Sequence, residues 1–162
     1  MQVTRDNITN DFSVEINLIG RNADPEKITA ILGLTPLKAA RAGDPRRNGS
    51  PDAVYEEGFW SYETSSQDDV NQCRDHQLNC LADAIEPHVQ KLREAGVERI
   101  YFYYTLSSFL GILNIHFKSE TLEKLARIGA DLHVSGFDCF NPKHPIWQED
   151  GSLMEAPADG KA

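Results

Sequence analysis

From residue 12 the chain alternates strictly: Phe12, Val14, Ile16 and Leu18 are apolar, and Ser13, Glu15 and Asn17 between them are polar. A period of two marks a strand with one side in a core and the other in water. Gly20 closes the run. Asp24, Pro25 and Gly33 then bracket a short helix as N-cap, first-turn proline and left-handed terminator, with Ile28, Ile31 and Leu32 as its apolar stripe. Leu34-Thr35-Pro36 leads out extended, because a residue before proline avoids the α region. Residues 37–53 read as loop, with turn signals at Gly43-Asp44-Pro45 and Asn48-Gly49-Ser50-Pro51.

A second strand is predicted from Tyr55 to Thr64, carrying Phe59, Trp60 and Tyr62. The longest helical pattern follows, Asp69 to Ala95, with Leu78, Leu81, Ala82, Ile85, Val89 and Leu92 on one side and Gly96 as its stop. Pro87 inside it predicts a kink or two helices meeting near Glu86. Residues 97–105 and 111–117 read as two strands joined in a hairpin, and 119–128 as a helix capped by Ser119 and stopped by Gly129. A last strand is predicted over Leu132–Phe140.

The expected order is β-α-β-α-β-β-α-β. Strand–helix–strand units favour crossovers that put helices on one face of one sheet. The prediction is therefore an α+β, ferredoxin-like two-layer sandwich with one mixed, mostly antiparallel sheet. Residues 1–10 read as a flexible segment and 11–140 as a single domain. Residues 141–162, polar and punctuated by Pro142, Pro145 and Pro157, read as an irregular to disordered tail.

Composition narrows the function classes. The 162 residues suit one domain with a proper core. A formal net charge of -9 opposes non-specific attraction to nucleic acid or an anionic membrane, because phosphate neutralisation needs cations in excess. No apolar run has membrane-span length, and the first residues lack the apolar core of a signal peptide. Three cysteines, Cys73, Cys80 and Cys139, form no stapled framework, which points to the reducing cytoplasm.

Five segments taken in order, LGLTP at 32–36, AGDPRR at 42–47, FW at 59–60, IEP at 85–87 and SETLEKLARIGADLHV at 119–134, resemble the bacterial domain of unknown function family 4279. The resemblance implies a compact α+β domain. It implies no established activity, catalytic residue or cofactor.

Three constellations could carry chemistry. Lys38, Arg41, Arg46 and Arg47 concentrate positive charge in a loop stiffened by glycine and proline. Guanidinium forks there could hold a carboxylate or phosphate. The plainer alternative is that they offset Asp44, Asp52, Glu56, Glu57 and a helix end. Cys73, His76 and Cys80 share a helix side, but the two cysteines stand about 10 Å apart along the axis, too far to share one zinc ion. No metal or other cofactor is expected.

The third constellation is the side of the sheet away from the helices. Glu15, Tyr101 or Tyr103, Asn114, His116, and His133 with Ser135 and Phe137 are expected there. Such a surface suits a protein partner or a small ligand, and His116 or His133 oriented by Glu15 could act as a general base. A merely wetted sheet face is the alternative. Aromatic sheet faces also bind RNA, but the acidic balance and the lack of an RNP-like K/R-G-F motif oppose that. No nucleophile elbow, HExxH, CxxC, P-loop or GxGxxG occurs.

The chain is thus expected to be a small cytoplasmic binding or interaction module, immunity-type or ligand-sensing. A small hydrolase- or transferase-like enzyme using the face histidines is the alternative. Self-association through the unprotected edge of the predicted hairpin is a further expectation.

Overall fold

The computed structural model describes residues 11–46, 52–65, 75–108 and 116–138. Strands are β1 (Asp11–Gly20), β2 (Lys38–Ala40), β3 (Gly58–Ser65), β4 (Arg99–Ser108) and β5 (Asp131–Asp138). Helices are α1 (Pro25–Leu32), α2 (Asp75–Ile85), α3 (Val89–Glu94) and α4 (Ser119–Ile128). They build an α+β domain around one five-stranded sheet in the order β2-β3-β1-β4-β5. Neighbours are antiparallel except β4 and β5, which run parallel across α4. β1 and β2 therefore run the same way, with β3 between them running against both.

The local signals explain the helices. Asp24 accepts the amides of Glu26 and Lys27 at 3.2 and 3.5 Å, Pro25 opens α1, and Gly33 ends it in the left-handed region. Pro87 breaks the long pattern as expected: a 3-10 turn, Glu86–His88, separates α2 from α3. Ser119 is not a cap. It is the first residue of α4, with extended Lys118 in the cap position and no capping side chain.

The strands place the core. Val14, Ile16 and Leu18 of β1 are fully buried, and register sets them beside Tyr104, Phe102 and Ile100 of β4 and Thr64, Tyr62 and Trp60 of β3. Ile28, Leu78, Ile85, Leu92, Leu125 and Ile128 of the helices pack on that same side. The helices cover one face of the sheet. The Trp60 indole N–H, inside this core, donates to Thr29 Oγ1 of α1 at 3.0 Å. α2 and α4 are tied by Lys124, which donates to Asp83 and Asn79, and Arg127 of α4 donates to Glu86 of the 3-10 turn.

One turn admits only glycine. Gly96, between α3 and β4, has φ +91°, and a Cβ there would stand 2.1 Å from the Asn22 carbonyl oxygen. Around it, Asp24 N donates to the Ala95 carbonyl and Glu98 N to that of Ile19, closing the end of the sheet on backbone contacts.

The observed order departs from the predicted one in two places. Lys38–Ala40, read as loop, is a short edge strand, because its backbone has a free edge of β3 to pair with. The hairpin of 97–105 with 111–117 is not formed along β4: β1 takes one edge of β4 and β5 the other over residues 101–108. Residues 116–118 are non-strand chain leading into α4, and 111–115 lie outside the described residues. β4 is interior, so the hairpin edge expected to mediate a dimer is not there. Residues 1–10 and 141–162 also lie outside.

Candidate functional site

The face away from the helices is built by the other residues of the same alternation. Register runs rows across the strands: Asp131, Tyr101, Asn17, Ser61 and Lys38 form one, and His133, Tyr103, Glu15 and Glu63 the next. Arg99, Ile19, Phe59 and Ala40 form the row on the other side of the first. Glu15, Tyr101, Tyr103 and His133, predicted to share a surface, do share it.

The rings are in contact. His133 stacks on Tyr103 with centroids 4.8 Å apart, and Tyr101 meets the His133 ring edge-on at 5.3 Å. Tyr103 is 37% exposed, so its ring is open to a partner. Arg99 lies over the Tyr101 ring at 5.8 Å and pairs with Glu57. Partial desolvation lowers the affinity of Arg99 for its proton, but the Glu57 charge and the Tyr101 hydroxyl outweigh it and hold the guanidinium charged.

The acidic groups have a different setting. Glu15 Oε1 accepts the Asn17 amide at 3.0 Å, and Glu63 faces Glu15 directly across β1 and β3. Among the described residues no lysine or arginine makes an ion pair with either. Like charges opposite one another weaken a sheet. Tyr103 stands between Glu15 and His133 in register, so those two backbones are two strand spacings, about 10 Å, apart. The Glu15-oriented histidine base expected from sequence therefore has a phenol ring in its way.

His116 does not lie on a strand of this face. It is exposed in the segment before α4, and the next residue, Phe117, packs edge-on against Tyr104 on the helix-covered side at 5.3 Å. The parallel β5 occupies the place beside β4 that would have carried it. Asn114 lies outside the described residues.

The basic loop divides. Arg41 turns to α1, where it pairs with Asp24 at 3.1 Å and Glu26 at 3.0 Å. Hydrogen bonding to Asp24 and the charge of Glu26 raise its proton affinity further. Burial pushes the Asp24 carboxyl up, but the Arg41 guanidinium and the Lys27 and Glu26 amides outweigh it and hold it below its ordinary value. Arg46 instead lies over the Tyr55 ring at 5.4 Å, and Tyr55 meets Phe59 at 5.0 Å. Lys38 stands on the open face at the edge strand. Arg47 lies outside the described residues.

On the exposed side of α2, Cys80 Sγ sits 3.4 Å from His76 Nε2, while Cys73 lies outside the described residues. Among the described residues no three His, Cys, Asp or Glu come together as metal ligands, and no helix is long and apolar enough to cross a membrane. Sequence reading missed Glu63, Phe59, Tyr55 and the Arg99–Glu57 pair. The alternation of β3, with Phe59, Ser61 and Glu63 opposite Trp60, Tyr62 and Thr64, held the signal for two of them.

No curated protein and no solved structure matches the chain. A family does, across the sheet and helices just described: over residues 10–136 the chain belongs to the family described as Domain of unknown function (DUF4279).

Proposed function

We propose that the chain is a binding module whose open sheet face docks a basic protein surface. The observation that carries this is the Glu15–Glu63 pair, two carboxylates in direct register with no cation paired to them among the described residues. A sheet bears that repulsion at a cost, and such local costs collect at working surfaces. A lysine or arginine from a partner would relieve it and would lie against the exposed Tyr103 ring, a cation–π contact. Tyrosine and arginine suit interface centres, and net charge -9 steers a basic partner inward.

One version is a toxin-neutralising, immunity-type protein, for which an acidic face on a small domain is the matching chemistry. The odd number of cysteines supports a reducing, cytoplasmic setting. The strand directions support a ferredoxin-like reading as well. β1, α1 and β2 make a split β-α-β unit around β3, β4 flanks β1, and α4 with β5 extends the sheet.

An oligo-arginine peptide tests the docking chemistry by calorimetric titration. Glu15→Gln and Glu63→Gln should each weaken binding by about three- to tenfold, and Tyr103→Ala by a similar factor. Glu120→Gln with Glu123→Gln removes two exposed charges from α4 instead and should change affinity less than about twofold. Equal losses from the two sets would reduce the effect to overall charge and remove the docking face.

A further inference from the structure

The β2–β3 connection makes a second surface, chemically opposite to the acidic row. After β2 the chain folds back on itself in a short arm: Pro45 bridges Val54, Arg46 N donates to the Ala53 carbonyl, and Tyr55 N donates to that of Asp44. Between this arm and β2 lies a groove of about 610 Å³, lined by Leu37, Lys38, Pro45, Arg46, Tyr55 and Phe59. That volume is in the range of small-molecule sites, which are concave, largely apolar and carry a few placed polar groups.

The placed groups here are cations. Lys38 and Arg46 both border the groove, and among the described residues neither has a carboxylate partner. Arg41, the other described cation of this loop, is withdrawn to Asp24 and Glu26. The Tyr55 and Phe59 rings give an apolar wall, and the Arg46 guanidinium is braced over Tyr55. Asp44 also borders the groove, but its Oδ2 accepts the Arg41 amide at 2.7 Å, which holds the turn.

We infer that this groove binds a small organic anion, its carboxylate or phosphate held between Lys38 and Arg46 and its flat apolar body against Tyr55 and Phe59. Charge complementarity selects the anion, since two cations without an ion-pair partner among the described residues border one groove in a chain of net charge -9. The aromatic wall selects a flat body over a bare ion, because ring contact adds to charge-assisted hydrogen bonding. The site lies at the β2 edge of the same sheet face, Lys38 being one row away from Glu63, and its ligand has the opposite sign to that of the acidic row.

The test uses 1-naphthoate, its neutral analogue 1-naphthamide, and inorganic phosphate, each titrated into the full chain and followed by amide NMR. Naphthoate should saturate with shifts at Lys38, Arg46, Tyr55 and Phe59, and bind at least about tenfold more tightly than naphthamide or phosphate, the worth of one charge-assisted hydrogen bond. Lys38→Met and Arg46→Met should each weaken naphthoate about tenfold, whereas Asp44→Asn, which keeps the turn acceptor and removes a repelling charge, should tighten it. Equal affinity for naphthoate and naphthamide in the unaltered chain would overturn the inference without any variant. So would shifts confined to other residues. Saturable binding of an oligo-glutamate peptide at the groove, with none of naphthoate, would overturn it in favour of an acidic segment.

Discussion

Replacing Thr29 by valine removes one hydrogen-bond acceptor and almost nothing else. Trp60 is fully buried, and its indole N–H donates to Thr29 Oγ1 at 3.0 Å. Valine is β-branched and nearly isosteric, so shape and helix propensity within α1 barely change. What remains is a buried donor without a partner, which costs about 1–3 kcal/mol. For a domain of this size that corresponds to a fall in Tm of about 2–4 °C per kcal/mol. Thr29→Ser keeps the hydroxyl and should lose under half as much.

Urea unfolding followed by far-ultraviolet circular dichroism measures both, and a Trp60→Phe background isolates the bond. There the donor is gone, so Thr29→Val should cost close to nothing, giving a coupling of about 1–3 kcal/mol. The reasoning is refuted if Thr29→Val is neutral, or if it costs as much in the Trp60→Phe background as in the unaltered chain.

Gly96→Ala should be among the most disruptive small changes: a positive φ costs about 1–3 kcal/mol, and the added Cβ meets the Asn22 carbonyl oxygen besides. Soluble yield and Tm read it, and an unchanged Tm would contradict the backbone geometry given for this turn. The Asp24–Arg41 pair predicts a pH dependence. Because the folded carboxyl titrates below its unfolded value, its contribution is complete above pH about 4 and is lost as pH falls through the lower folded value. The difference in Tm between the unaltered chain and Asp24→Asn should therefore shrink on acidification below that point. A gap that widens there would reverse the sign and exclude the clamp.

The element types were readable where one local rule acted alone. Strict alternation gave β1, the Asp24–Pro25–Gly33 set gave α1, and Pro87 gave the break between α2 and α3. Pairing was harder, because two apolar runs close in sequence are a hairpin signal only if no other strand takes the edge. β5 takes it, through a crossover by α4, and His116 goes with the lost strand. β2 is three residues long and owes its form to β3, so no period could mark it. On the open face, Glu15, Tyr101, Tyr103 and His133 were found by parity within strands. The partner of Glu15, Glu63, depends on register between strands, which the sequence does not print. Charge type likewise did not reveal that Arg41 folds onto α1 while Arg46 faces a groove.

The central claim, that the sheet face away from the helices, with an acidic row that no cation pairs among the described residues, is the working surface, is tested most directly by mapping oligo-arginine on the chain by two-dimensional amide NMR. The account predicts saturable shifts at Glu15, Asn17, Glu63, Tyr101, Tyr103 and His133, reduced by salt, with the amides of α1 to α4 unmoved. Shifts centred on the helices, or none on the open face at saturation, would contradict it.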